Sequence, residues 1–97
     1  MEATLYSNRN DGGKTTVTLE MLADGSLQLF FYDIGDDCRQ VFGDSDYEHW
    51  LTVPPGDLPK LAFALLAEKY AGRHDSVRDL AAFCKANDIR HENGLWT

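Results

Sequence analysis

Six carboxylates crowd one short stretch of the chain. Asp33, Asp36, Asp37, Asp44, Asp46 and Glu48 stand against a single base, Arg39, and carry a net of −5 out of the −7 of the whole sequence. Oxygen donors in such number are the ligands that hard cations take. The spacing is not that of an EF-hand loop, and Asp44, Asp46 and Glu48 point one way only where the segment is extended. A solvated acidic loop is therefore expected rather than a metal site, and no cofactor is expected. His49, between Glu48 and Trp50, is of the residue type that titrates in the range acid–base work needs. Neighbours on a strand face opposite ways, however, so His49 is expected to side with Tyr47 and Leu51 and not with Glu48.

Three other chemistries lack their pattern. Gly12-Gly13-Lys14-Thr15 ends like a phosphate-binding loop. The first glycine of that motif would fall at Asn8, and the residues after Thr15 read as strand instead of the helix that would hold a phosphate. Cys38, Cys84, His74 and His91 include no local ligand pair at zinc spacing. No serine or cysteine lies in a nucleophile motif. No catalytic residue is assigned, and an enzyme is the lesser reading.

The acidic field repels phosphate backbones and attracts basic partners. Tyr6, Phe30, Tyr32, Tyr47 and Trp50 are candidate surface aromatics. Asp36, Asp37, Asp44, Asp46 and Glu48, with Tyr47 and Trp50, form the candidate binding surface for a basic protein partner. Aromatics would suit stacking on single-stranded nucleic acid too, but only Arg9, Lys14 and Arg39 are basic before the main helix.

The elements that must position these residues are set by pattern. The clearest is a helix from Pro54 to Gly72. Asp57 is placed to cap it, Pro59 sits where a missing N–H costs nothing, and Gly72 offers a left-handed stop. Leu58, Leu61, Ala62, Leu65 and Leu66, widened by Phe63 and Tyr70, recur at helical spacing and are expected to face a core. Upstream, Ala3 to Tyr6 reads as a short strand and Ser7 to Gly13 as a polar loop. Thr15 to Met21 and Leu27 to Tyr32 alternate as strands about Asp24-Gly25, a hairpin signal in which both positions want positive φ. Cys38 to Phe42 is a candidate short strand, and Tyr47 to Val53 is β-like. A second helix begins at Ser76, with Ser76 and Asp79 resembling a capping box and Val77, Leu80, Ala81 and Cys84 as its stripe; Asn87 is expected to end it. Ile89 to His91 and Leu95-Trp96 suggest a terminal strand around Asn93-Gly94.

Length fits one domain, residues 1–97. Strands followed by helices argue for α+β: an antiparallel meander of four to five strands with two helices on one face. No apolar run reaches membrane-span length, the N-terminus has no signal-peptide pattern, and the two cysteines read as reduced thiols, so a cytoplasmic setting is expected. An exposed sheet edge opens the way to a homodimer.

In element order alone the chain resembles the single-strand-binding domains of the PC4 coactivator class. At Ser7 to Gly12, Tyr32 to Gly35 and Gly43 to Pro54 it resembles a set of small bacterial proteins of unknown function, the last motif being the most specific. That resemblance implies a bacterial, stand-alone cytoplasmic domain and brings no catalytic residues. The function expected is a non-enzymatic binding module, of which an immunity-type inhibitor is one version. A small carboxylate- or metal-dependent enzyme and a single-strand binder are the alternatives.

Overall fold

A computed structural model describes residues 1–10, 12–35 and 46–95. It divides into two units, Met1–Leu61 and Ala62–Thr97. The first holds four strands, β1 (Glu2–Asn10), β2 (Gly13–Met21), β3 (Leu27–Gly35) and β4 (Asp46–Val53), in the order β1-β2-β3-β4. Every neighbouring pair is antiparallel. With helices α1 (Leu58–Tyr70) and α2 (Ser76–Ala86), the class is α+β. Among the described residues no helix is long and apolar enough to cross a membrane.

β1 and β2 run further than propensity suggests. Asn10 pairs with Gly13, so the expected polar loop from Ser7 shrinks to a tight turn in which Asn10 Oδ1 accepts from the Gly12 N–H at 2.9 Å. That turn abuts the end of β3. A Cβ on Gly13 (φ 146°) would stand 1.9 Å from the carbonyl oxygen of Ile34, and one on Gly35 (φ 135°) would stand 2.0 Å from that of Gly12. Only glycine fits either place.

The β2–β3 connection runs from Leu22 to Ser26, between the strand ends expected. Met21 pairs with Leu27, the Leu22 N–H donates to the Ser26 carbonyl (2.8 Å), and the Gly25 N–H donates to the Leu22 carbonyl (3.0 Å). Of the two expected positions, Gly25 takes positive φ, at 89°, and Asp24 does not. Asp24 works through its side chain instead, accepting from the Ser26 N–H (2.9 Å) and hydroxyl (3.0 Å), the Asx-turn habit of aspartate. Ser26 is 4% exposed.

The sheet has two unlike faces. Register sets Val17, Leu19 and Met21 beside Phe31, Leu29 and Leu27, and beyond them His49, Leu51 and Val53. This apolar face keeps Leu29 39% and Leu51 62% exposed. The first strand of the pattern also carries Thr15, whose Oγ1 donates to Asp33 Oδ1 at 2.8 Å across β2 and β3, so the residue of the rejected phosphate loop sits in a strand ladder. The opposite face is mostly polar outside its rings.

The first helix stops where expected but starts differently. A 3-10 turn over Pro55–Asp57 leads into α1, with the Asp57 N–H donating to the Pro54 carbonyl (3.0 Å); Asp57 belongs to that turn. Gly72, at φ 74°, supplies the stop. On α1, Leu58, Leu61, Leu66 and Tyr70 are half-buried while Phe63 is 76% and Leu65 58% exposed. On α2, Leu80, Ala81 and Cys84 are half-buried and Val77 is 72% exposed.

Ser76 does not form the capping box: Asp75 holds the cap position and Ser76 is the first residue of α2, while Asp79 Oδ2 accepts from the Tyr70 hydroxyl at 2.5 Å. Arg73 lies over the Tyr70 ring, 5.1 Å from its centroid, and makes a forked pair with Asp75 (2.8 and 3.1 Å). Lys69 stands 5.2 Å from the Phe83 ring centroid. These contacts join the end of α1 to the start of α2. Asn87 is not the left-handed residue; Asp88 is, at φ 56°, and the Ile89 N–H closes back on the Cys84 carbonyl at 2.8 Å, a Schellman ending. Residues 89–95 form no strand, and the candidate strand Cys38 to Phe42 lies outside the described residues.

The close approach at Gly13 is testable by substitution. Gly13→Ala should lower unfolding free energy in urea by about 1–3 kcal/mol, whereas Gly56→Ala, with nothing within 4 Å of the new Cβ, should stay within about 0.5 kcal/mol of wild type. Separately, the Arg73 fork holds Asp75 below the ordinary aspartate range, and the Ser26 N–H and hydroxyl do the same for Asp24. A depressed folded pKa adds stability that is present above the unfolded pKa and lost as pH falls through the folded one. Carboxyl NMR titration should find both midpoints below that of an unstructured aspartate. Arg73→Gln should return Asp75 toward it. Ser26→Ala should move Asp24 only part of the way, since the larger contribution is the backbone N–H that alanine keeps.

Candidate functional site

The polar face of the sheet carries a row of aromatic rings. β3 and β4 pair Phe30 with Trp50 and Tyr32 with Glu48. Phe30 stacks on Trp50 with centroids 6.4 Å apart and planes 18° apart, and on Tyr32 at 6.3 Å and 19°. Strand alternation puts Phe30 and Tyr32 on one face, and antiparallel register brings Trp50 beside them. Trp50 is 56% exposed. Next to it Gln28 Nε2 donates to Thr52 Oγ1 at 3.3 Å, and Thr18 lies across from Phe30.

The charges of this face are sorted by position. Exposed Glu48 lies beside the rings on β4, the edge strand. Asp46 pairs with Ile34 two residues further along. Glu2 pairs with Glu20 at one end of the β1–β2 pair, and Arg9 pairs with Lys14 at the other. Glu48 is thus the acid beside the rings, and the two bases of the sheet stand at the β1–β2 turn.

The candidate residues do not all gather. Glu48 and Trp50 share the aromatic face. Tyr47 lies on the opposite, apolar face, paired with Asp33 and edge-on to Phe31 at 6.0 Å. Tyr6, paired with Val17, also belongs to the apolar face. The five candidate aromatics therefore split three to two, as alternation of odd and even residues would have told for Tyr47. Asp36, Asp37 and Asp44 lie outside the described residues. His49 pairs with Phe31, on the face opposite Glu48, so the two make no acid–base pair. Among the described residues no three of His, Cys, Asp and Glu cluster as metal ligands. Cys84 is a free, half-buried thiol.

Comparison of the chain with protein-family models, curated proteins and solved structures gave no match. The chemistry of the face itself therefore carries its reading.

That chemistry is stacking flanked by negative charge. Aromatic pairs on a sheet couple by about 0.5–1 kcal/mol beyond their area. A double-mutant cycle of Phe30→Ala and Trp50→Ala, read by urea denaturation, should return a coupling of that size. A cycle of Phe30→Ala with Tyr47→Ala, across the sheet, should return none.

Proposed function

We propose that the protein is a non-enzymatic binding module whose Tyr32–Phe30–Trp50 face, edged by Glu48 of β4, receives a basic protein partner. The observation that carries this reading is the exposed, stacked Trp50 beside exposed Glu48. Acidic charge speeds and orients the encounter, and the large exposed ring of Trp50 supplies area that a tight contact desolvates. An Arg or Lys of the partner has two attractive places here, the carboxylate and the ring face. A toxin-neutralising immunity protein of the bacterial cytoplasm is one concrete version, by analogy of type.

The test is affinity capture from native bacterial lysate, with mass spectrometry of the proteins that stay bound. One basic protein should be retained by the wild type and lost by a variant with Asp36, Asp37, Asp44 and Asp46 changed to Lys. Against that purified protein, Trp50→Ala should weaken binding roughly 30-fold, which corresponds to about 2 kcal/mol. Retention that survives the charge reversal overturns the reading.

One observation favours a second reading. Arg9 and Lys14 stand side by side at the end of the sheet that carries the rings, an arrangement that suits single-stranded nucleic acid bound by stacking. Labelled oligonucleotide at low salt tests it. Binding at micromolar protein that is lost on Lys14→Glu would move this reading to first place.

A further inference from the structure

The two edges of the sheet are not alike. β1 carries a bulge: Thr4 pairs with Thr18 and Tyr6 with Val17, leaving Leu5 as the extra residue. A bulge twists an edge away from further pairing. β4 has none; its register with β3 is unbroken from Asp46 to Val53. It contains no Lys and no Pro, the other usual guards. Glu48 to Thr52 are all exposed, so both faces of the strand are open along that stretch. Among the described residues no backbone hydrogen bond reaches β4 from any element other than β3.

We propose that β4 pairs antiparallel with β4 of a second copy, about a two-fold axis through Trp50, to make one continuous eight-stranded sheet. The register is chosen by elimination. Keeping like face on like face requires the axis to pass through a residue, because a one-residue slip turns every side chain over. An axis at Glu48 opposes two carboxylates, and one at His49 opposes two imidazoles. An axis at Leu51 runs Glu48 against Pro54, which has no N–H to give, three residues from the axis, whereas an axis at Trp50 meets Pro54 only at Asp46, the first residue of the strand. An axis at Trp50 sets Glu48 across from Thr52 and His49 across from Leu51, with no like charges opposed. It also lays Trp50 beside its copy, so the ladder Tyr32–Phe30–Trp50 continues through the axis into the partner's ladder. The edges join side by side, so the aromatic face stays open to a basic protein, and the pairing stands or falls apart from that reading.

Sedimentation equilibrium of the purified full chain, from micromolar to several hundred micromolar, tests it. A dimer is expected. Leu51→Lys, which puts a charge on the edge across from His49 and leaves the aromatic face intact, should raise the dissociation constant at least 10-fold. Tyr6→Lys on the bulged edge should leave it unchanged. In a Cys38→Ser, Cys84→Ser background, Trp50→Cys should form a covalent dimer under mild oxidant, because opposed residues bring their Cα atoms within disulfide range. Glu48→Cys, which opposes Thr52, should not. Far-UV circular dichroism checks that each variant is folded. A monomer across the whole range, a dimer indifferent to Leu51→Lys, or crosslinking of Glu48→Cys in preference to Trp50→Cys overturns the proposal.

Discussion

The register of β2 against β3 is the constraint on which the rest of the sheet depends. It runs without a break from Gly13 opposite Gly35 to Met21 opposite Leu27. Side-chain direction alternates along a strand, so a slip of one residue would carry Phe30 and Tyr32 among the leucines and Phe31 out to the polar side. Both ends of the pairing resist that slip. At one end two glycines let the β1–β2 turn and the end of β3 approach more closely than any side chain permits. At the other, Asp24 grips Ser26 and sets the length of the loop. Neither device touches the aromatic face, yet both decide which residues appear on it.

The face so defined combines features that seldom serve a core. Its rings are stacked but solvent-facing at Trp50, Glu48 lies beside them on β4, and Arg9 and Lys14 lie at the β1–β2 turn. Separation of charge across a small sheet gives a partner an orientation as well as an attraction. The apolar face, with Leu29 and Leu51 exposed, offers no such direction. Recognition is better served by the polar side for that reason.

Much of the sheet was legible because alternation is a local signal. Val17, Leu19 and Met21 against Thr16, Thr18 and Glu20 declare a two-faced strand, and Phe30 with Tyr32 marks the second face as unusual. The length of β1 was not legible: Ser7, Asn8, Arg9 and Asn10 have turn-forming composition, and only pairing with β2 makes them strand. Proximity in sequence groups Tyr47 with Glu48 and Trp50, although an odd residue among even ones must face away. The helix ends failed for a different reason. Ser76 and Asp79 match a capping box, but Asp75 takes the cap position one residue earlier, and Asp79 is engaged by Tyr70 and Arg73. Asp88 in place of Asn87 is an offset of one residue, the usual spread of helix ends.

The extra residue at Leu5 bears on how far such a sheet can grow. A strand edge is a template, and a molecule with two good templates adds copies without limit, as fibres do. A molecule with one can meet only its own like edge, and that meeting uses up the template. The bulge in β1 thus acts as a terminator. If β4 meets β4 as proposed, the assembly is finite, because the strand furthest from the contact carries the defect.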